Sequence, residues 1–128
     1  INKVLELHGN LWSIRCENEN RIIQDDENWY FKKKICDCGN YLRPNIIWFE
    51  DPLNDTIFTN ALKITKKCDL FISIGTSGIV YPAASIPKIA KDSGAFCIEI
   101  NPEKTELSYL FDEKIRSKAS VGIKKLFK

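Results

Sequence analysis

One histidine is the first residue that could carry out chemistry. His8 is the only histidine in the chain, and Gly9 follows it directly. An unperturbed imidazole titrates near pH ~6.5, so His8 can accept a proton at neutral pH and is a candidate general base. A lone histidine is also commonly a surface or core residue that has only a structural role, with its hydrogen-bonding groups satisfied. Taken alone, His8 therefore leaves both interpretations open.

Two polar segments form a second group of candidates, Gly75-Thr76-Ser77-Gly78 and Asn101-Pro102-Glu103. Glycine allows backbone N–H groups to approach a ligand, and the hydroxyl groups of Thr76 and Ser77 can donate hydrogen bonds to phosphate or ribose oxygens. These residue types indicate a nucleotide-binding loop. A Gly-Thr-Ser triplet without further context is also typical of an ordinary turn.

Five cysteines form the third group. Cys16, Cys36 and Cys38 are candidate metal ligands, because thiolates from separate short segments can hold zinc. Their spacing is irregular: Glu19 stands three residues after Cys16, and a single residue separates Cys36 from Cys38. The odd number of cysteines and the lack of a secretory feature favour reduced thiols in the cytoplasm. Two cysteines are predicted to be core residues, Cys68 and Cys97.

Short apolar segments predict the strands that position these residues. Residues 4–7 alternate and end at His8, which predicts a strand that leads into a loop. Residues 46–49 form a compact apolar run that predicts a buried strand. Residues 69–75 and 95–101 are further predicted strands, and each ends at one of the two polar segments.

The predicted helices alternate with these strands. The first begins at Asn54 or Asp55 and runs to about Lys67, and the second runs from Pro82 to about Asp92. Weaker patterns predict helices over residues 104–110 and 121–128, which completes the set. Strands that alternate with helices predict an α/β fold with an open parallel sheet. Ligands bind such sheets at the carboxyl ends of the strands, where both polar segments would lie.

The composition changes between residues 10 and 43, which are rich in Asn, Asp, Glu, Lys and Cys. We expect a small module here that is poor in sheet and depends on a metal or a neighbouring domain for stability. The predicted organisation is a strand and loop over residues 1–9, the Cys-containing module over 10–43, and the α/β part over 44–128. No Gly-rich phosphate turn precedes Ile1, so we expect the N-terminal strand and its loop to be absent and the chain to be truncated.

Composition excludes several classes of function. With 44% hydrophobic residues, 28% charged residues and a net charge of +2, the chain is typical of a globular protein without a nucleic-acid partner. The run Lys32-Lys33-Lys34 is predicted to be a solvated loop. The apolar stretches are too short to span a bilayer, so no membrane is expected.

Four segments in order resemble the sirtuin family of NAD-dependent protein-lysine deacylases, of the bacterial type. They are Glu6-Leu7-His8-Gly9, residues 42–49 (Leu-Arg-Pro-Asn-Ile-Ile-Trp-Phe), residues 75–84 (Gly-Thr-Ser-Gly-Ile-Val-Tyr-Pro-Ala-Ala), and Ile98-Glu99-Ile100-Asn101. The resemblance covers essentially the whole chain and corresponds to the C-terminal half of a catalytic core. It implies part of a Rossmann-like parallel sheet with a small zinc-ribbon-like module.

The resemblance implies a role for His8 as the base that acts on a ribose hydroxyl of NAD. In the family, the acyl-lysine carbonyl oxygen first attacks the ribose carbon and expels nicotinamide. Strand addition of the acyl-lysine peptide implies substrate contacts from the segment after Pro44. The positions that match are Ile47, Trp48, Phe49 and Glu50. This sequence has Glu50-Asp51 where the family has Gly-Glu, which removes backbone freedom and adds a charge.

The resemblance also implies ligand contacts for NAD and zinc. The residues that match cofactor-binding positions are Gly75, Thr76, Ser77, Asn101, Glu103 and Ala119. Cys16 and Cys38 match the register of two zinc ligands, Cys36 is displaced, and Glu19 could supply an oxygen. A zinc ion in this set and a metal-free module remain alternatives. In the metal-free case, the module would be held together by aromatic packing of Trp12, Trp29, Tyr30 and Phe31.

Two classes of function therefore follow. In the first, the chain contributes to a deacylase that transfers the acyl group from lysine to ADP-ribose, with an acyl-lysine protein or peptide as substrate. In the second, it is a non-catalytic fragment that binds a peptide, nucleotide or protein partner. We expect the isolated chain to be nearly inactive, because the missing N-terminal segment would position the substrate beside His8. Such positioning can account for about 7–11 kcal/mol of an activation barrier. An uncovered sheet edge would favour homo-oligomers or association with a missing N-terminal half.

Overall fold

A computed structural model of the chain describes residues 4–19, 21–24 and 35–127. The backbone divides into two compact units, Ile1–Phe58 and Thr59–Lys128. Three aromatic residues considered above, Trp29, Tyr30 and Phe31, lie outside the described residues, as does the lysine run over 32–34. None of the described helices is both long and apolar enough to cross a membrane.

The first unit contains a three-stranded antiparallel sheet. Its strands are β1 (Gly9–Cys16), β2 (Arg21–Gln24) and β3 (Leu42–Ile46), in the order β2-β1-β3. Pro44 lies in β3 at the edge of this sheet, where a residue without an N–H group is tolerated. The expectation that this region is poor in sheet is wrong. Its strands are short and half polar, and their pairing across the sheet, which local sequence does not reveal, stabilises them.

Two predicted strand positions in this unit are also wrong. No strand covers residues 4–7; Leu7 and His8 form a turn, and β1 begins at Gly9. The predicted buried strand over residues 46–49 ends at its first residue, because β3 stops at Ile46. Beyond that point the backbone turns, and the amide of Asp51 donates to the carbonyl oxygen of Trp48 at 3.1 Å.

The first helix, α1 (Asp55–Thr65), begins where the sequence predicts and ends two residues before Lys67. Asn54 caps its first turn, since its Oδ1 atom accepts a hydrogen bond from the amide of Ile57 at 3.0 Å. Such a side-chain acceptor satisfies an amide that has no partner inside the helix. Asn54, and not Asp55, is therefore the cap.

The second unit contains a three-stranded parallel sheet with helices, as predicted. Its strands are β4 (Leu70–Ile74), β5 (Phe96–Ile100) and β6 (Glu113–Ile115), in the order β4-β5-β6. A 3-10 turn over Ala83–Ser85 leads into α2 (Ile86–Asp92). The final helix is α3 (Ala119–Leu126).

Several details of this unit differ from the sequence prediction. The helix predicted from Pro82 becomes α-helical only at Ile86, and the helix predicted over residues 121–128 spans Ala119–Leu126. The predicted helix over residues 104–110 is reduced to a 3-10 turn at Ser108–Leu110. The third strand, β6, was not predicted, because only Ile115 of its three residues is buried and no local apolar pattern marks it. Its position depends on pairing with β5, which is a long-range interaction.

The central strand β5 is buried on both faces. Cys97 packs with Ala90, Ala95 and Phe111 on one face, and Ile98 and Ile100 lie in a separate cluster on the other. A continuous apolar run is typical of such a strand in a parallel sheet. The predicted core position of Cys97 is confirmed, and Cys68 packs against the same cluster.

Candidate functional site

His8 lies in the turn that precedes β1, and it is exposed. Its carbonyl oxygen accepts a hydrogen bond from the amide of Ile47 at 3.0 Å. Gly9 makes this close approach of the two segments feasible. It has a φ of +71°, and a Cβ atom built on it would lie 1.8 Å from the carbonyl oxygen of Asn45. Only glycine fits here without displacing β3.

The segment after β3 carries the predicted substrate contacts. Ile47 is half-buried and lines a cavity of about 310 Å³ together with Leu5, Leu7 and other residues of the first unit. Trp48 and Phe49 are instead 53% and 89% exposed, which corrects the expectation that they fill the core. Both aromatic rings are thus available to a ligand on this surface.

Glu50 has a left-handed backbone conformation, with a φ of +77°. This conformation costs a residue with a side chain about 1–2 kcal/mol. The sequence resemblance implies glycine at this position in the family. The turn therefore keeps a backbone conformation that favours glycine, although the residue here is glutamate. Its carboxylate is exposed and makes no ion pair within the described ranges.

Asp51 fixes this turn through a network that sequence reasoning missed. Its Oδ2 atom accepts hydrogen bonds from Arg15 at 3.2 Å, from Arg43 at 2.7 Å and from the amide of Trp48 at 3.2 Å. Arg43 also donates to Glu17 at 2.6 Å. The two arginines lie directly opposite each other on β1 and β3. Two like charges that face each other across a sheet are destabilising unless anions lie nearby. Once the register of β1 and β3 is known, the Arg15–Arg43 pair therefore indicates that carboxylates lie close to both.

Three cysteines and one glutamate form a cluster in the first unit. The sulfur atoms of Cys16, Cys36 and Cys38 and a carboxylate oxygen of Glu19 all lie within 4.8 Å of one another. Cys16 and Cys38 are 3.4 Å apart between sulfurs, and Cys36 donates to Glu19 at 3.4 Å. A tetrahedral zinc ion with bonds of about 2.3 Å needs ligand atoms roughly 3.8 Å apart, so this donor set fits a zinc ion.

The thiols of this cluster differ in acidity. The backbone hydrogen bond from Asn40 lowers the pKa of Cys38 to about 7, although partial burial opposes it. For Cys36, the backbone hydrogen bond at Cys38 acts to lower the pKa. Burial and hydrogen bonds with Cys16, Cys38 and Glu19 outweigh it and raise the pKa of Cys36 to about 11. Cys38 therefore ionises more readily than Cys36 at neutral pH.

The two polar loops of the second unit are joined by a direct hydrogen bond. The side-chain amide of Asn101 donates to the carbonyl oxygen of Thr76 at 2.9 Å. The amide of Gly75 also donates to the carbonyl oxygen of Ile100 at 2.9 Å. Both loops thus lie together at the carboxyl ends of β4 and β5, as the predicted topology requires.

The side chains of these loops remain largely accessible. Thr76 and Ser77 are exposed, and the hydroxyl oxygen of Thr76 accepts a hydrogen bond from the amide of Gly78 at 3.2 Å. The Oδ1 atom of Asn101 accepts a hydrogen bond from the amide of Glu103 at 3.2 Å. Among the described residues, one N–H and one lone pair of the Asn101 amide have no partner and can bind a ligand. The exposed carboxylate of Glu103 makes no ion pair within the described part of the chain.

Ala119 is the first residue of α3 and is exposed. The helix approaches β5 closely at Gly122, where a Cβ atom would lie 2.3 Å from the Cγ2 atom of Ile100. This contact fixes α3 relative to β5, the strand that Asn101 follows. The structure thus places Ala119, Asn101 and Thr76 in one unit, and His8 and Ile47 in the other.

Comparisons with known proteins agree on one family. A model described as the Sir2 family matches residues 1–82. An NAD-dependent protein deacylase of Aquifex aeolicus is 38% identical over 132 residues, which cover 98% of this chain and 53% of that protein. An NAD-dependent protein deacylase 1 of Caldanaerobacter subterraneus is 42% identical over 107 residues, which cover 82% of this chain and 44% of that protein. The chain spans about half the length of the curated relatives it matches.

Solved structures give the same result. A crystal structure of a Sir2 homologue in complex with NAD superimposes with a TM-score of 0.91 at 35% identity, covering 98% of this chain and 50% of that one. A structure described as Sir2 with a p53 peptide and NAD+ has a TM-score of 0.85 at 26% identity, covering 98% and 55%. The similarity extends over nearly the whole chain.

Proposed function

The chain belongs to the Sir2 family, and on that premise we propose that it is the C-terminal half of the catalytic core of an NAD-dependent protein-lysine deacylase. The observation that carries the proposal is the hydrogen bond of 2.9 Å between Asn101 and Thr76. It holds together two loops at the carboxyl ends of neighbouring parallel strands, which is where nucleotides bind in such sheets.

In the proposed complex, the second unit binds the adenosine end of NAD. Backbone N–H groups next to Gly75 and the hydroxyls of Thr76 and Ser77 donate to phosphate or ribose oxygens. The free N–H group and lone pair of Asn101 bind a ribose hydroxyl. The carboxylate of Glu103 accepts hydrogen bonds from the same ribose, and a small residue at the start of α3, Ala119, leaves room for adenine.

In the first unit, His8 is the proposed general base. Its exposed imidazole accepts a proton from a ribose hydroxyl, and the hydrogen bond between its carbonyl oxygen and Ile47 holds its backbone in place. NAD supplies the ribose carbon that receives the acyl oxygen, with nicotinamide as the leaving group. A correctly placed base of this kind contributes about 10²–10⁴-fold to a rate.

The segment from Ile47 to Glu50 is the proposed site for the acyl-lysine peptide. The residues after β3 lie outside the sheet. The amides of Ile47 and Trp48 and the carbonyl of Trp48 already have partners, so an extended peptide would pair with the other backbone groups of this segment. The exposed rings of Trp48 and Phe49 add apolar contact area, and the ion pairs of Asp51 hold the turn in one shape. Main-chain pairing makes little demand on the peptide's sequence, so we expect several protein substrates.

Cys16, Glu19, Cys36 and Cys38 are the proposed ligands of a structural zinc ion. Zinc would link β1 to the turn after Cys36 and so stabilise the small sheet; it takes no part in the chemistry. Five free cysteines support a reducing compartment, which we propose is the cytoplasm. We also propose that the chain associates with an N-terminal half or with a second copy of itself. Neither a nucleic acid nor a membrane is a proposed partner.

Binding of ADP-ribose to the 128-residue chain tests this function. NMR titration of a ¹⁵N-labelled sample is expected to shift the amide signals of Thr76, Gly78, Asn101 and Glu103. Asn101→Ala removes the neutral hydrogen bonds that the side-chain amide is proposed to make with the ribose, and it should weaken ADP-ribose binding about tenfold or more. Lys114→Ala, an exposed change on β6, serves as the control. Signals that stay in place at saturating ADP-ribose would rule the proposal out.

A further inference from the structure

Glu99 is a buried carboxylate in β5, and the proposed chemistry does not use it. It is 2% exposed. Its oxygens accept hydrogen bonds from the hydroxyls of Thr105 and Ser108, both at 2.6 Å, and from Arg116 at 2.7 Å. A buried charge persists only when paired and hydrogen-bonded, and three donors meet that condition here.

Arg116 extends this network to the loop after β5. Its second terminal nitrogen donates to the carbonyl oxygen of Glu103 at 3.0 Å and to that of Asn101 at 3.4 Å. The nitrogen that pairs with Glu99 also donates to the hydroxyl of Ser108 at 3.0 Å. One guanidinium group thus joins the central strand to both ends of a loop that contains Pro102 and has no regular structure.

We infer that Arg116, anchored by Glu99, is a positioning residue that holds the Asn101–Glu103 loop in the shape that binds the adenosine ribose. The inference rests on the proposed function. Asn101 presents its free N–H group correctly only if its backbone is fixed, and Arg116 supplies the side-chain contacts to that backbone. Arg116 itself needs no contact with the nucleotide.

The chemistry of the guanidinium explains why arginine is required. Its planar fork carries donors in two directions, toward Glu99 and toward the loop carbonyls. A lysine at this position keeps the charge but has a single nitrogen, so it can pair with Glu99 and lose the loop contacts. Burial acts to raise the pKa of Glu99, but hydrogen bonds from Ser108, Thr105 and Arg116 outweigh it and hold the pKa below its usual value. The anchor is therefore ionised at neutral pH.

ADP-ribose binding by the 128-residue chain tests the inference with two variants. Arg116→Lys keeps the ion pair with Glu99. The double variant Glu99→Gln with Arg116→Gln removes both charges, so that neither is left buried alone. Lys114→Ala is the matched control, because Lys114 is a cation two residues away that makes no ion pair among the described residues. Thermal unfolding of each variant is recorded beside its ADP-ribose affinity.

Both Arg116 variants are expected to bind ADP-ribose about tenfold more weakly, with unfolding still cooperative and Lys114→Ala unchanged. The amide signals of Asn101 and Glu103 are expected to move in the free variants, while that of Ile72 in β4 stays in place. Affinity within about twofold of the original in either folded variant would overturn the inference and leave the proposed function standing. Failure of the original chain to bind ADP-ribose would overturn both.

Discussion

The carbonyl oxygen of His8 accepts a hydrogen bond from the amide of Ile47 at 3.0 Å. This bond ties the proposed base to the segment proposed to bind the acyl-lysine peptide. It depends on Gly9, whose missing side chain lets the turn approach β3. The two roles are therefore joined by one backbone contact within the first unit.

The close approach at Gly9 gives the first prediction. Gly9→Ala adds a methyl group that would lie 1.8 Å from a backbone oxygen, in addition to the cost of a φ of +71°. Strain and overpacking each cost about 1–3 kcal/mol, so we expect a loss of about 3 kcal/mol or more in the free energy of unfolding. Urea denaturation measures it.

Gly94→Ala is the matched control for this change. Gly94 has a φ of +90°, but a Cβ atom there meets no atom within 4 Å. Only the backbone conformation is penalised, at about 1–2 kcal/mol. Equal losses for the two variants would show that contact with Asn45 is not what requires glycine at position 9.

A second prediction concerns the left-handed backbone of Glu50. Glu50→Gly relieves about 1–2 kcal/mol of strain, but it adds about 0.4–1 kcal/mol of unfolded-state entropy. The net expectation is a gain of about 0.5–1 kcal/mol in the free energy of unfolding. Glu50→Ala removes the same charge and keeps the strain, so its stability should not rise. If both variants gain stability equally, the charge and not the φ of +77° is the cause.

The third prediction concerns the cysteine cluster. The chain is expected to bind one zinc ion, and Glu19→Cys should bind it more tightly, because zinc prefers thiolate to carboxylate in a tetrahedral site. Glu19→Ala should bind it more weakly. Competition with a chromophoric chelator measures the affinities. In the Co²⁺ form, the sulfur-to-cobalt charge-transfer absorption should be stronger for Glu19→Cys, which has four thiolate ligands, than for the original chain, which has three.

Asp37→Asn, a neighbouring acid outside the cluster, is the control for these zinc measurements. It should leave the affinity for zinc and the cobalt spectrum unchanged. An affinity that is the same in Glu19→Ala and Glu19→Cys would mean that position 19 supplies no ligand.

The fourth prediction is a loss of stability in acid through Glu99. Its pKa is lowered in the folded state, so its contribution to stability is complete above the unfolded value of about 4.3 and is lost as the pH falls through the folded value. Asp112 acts in the same direction, because a backbone hydrogen bond from Cys97 and an ion pair with Lys91 lower its pKa. Glu99→Gln should flatten the acid limb of a plot of unfolding free energy against pH.

Glu113→Gln removes an exposed carboxylate from β6 and is the comparison for this pH profile. Its acid limb should stay as steep as that of the original chain. A Glu99→Gln profile of the original steepness would show that this carboxylate is not held ionised by its partners.

Local signals in the sequence predicted the start of α1 and most of the second unit. The cap of α1 at Asn54, the end of α2 at Asp92 and the apolar run of β5 each reflect structure that is formed by neighbours in the chain. The strands of the first unit and β6 were missed, because their residues are half polar and become strands only by pairing with distant segments.

The candidate site divides in the same way. The loops at Thr76 and Asn101 follow from strand ends, and the structure brings them into contact. The networks around Asp51 and Glu99 could not be predicted. Asp51 meets Arg15, 36 positions earlier in the chain, and Glu99 meets Arg116, so each network depends on how the sheet is folded. No local pattern reports such pairings.

The central claim is that this chain supplies the catalytic base and adenosine site of a deacylase. Its most direct test is release of nicotinamide from NAD and an acetyl-lysine peptide. The polypeptide would join the N-terminal half of the Aquifex aeolicus relative to Ile1 of this chain, and the 128-residue chain alone would serve as the nearly inactive control. We predict peptide-dependent release by the joined protein and a decrease of about 10²–10⁴-fold in His8→Ala. Equal rates with and without His8 in the folded protein would contradict the account.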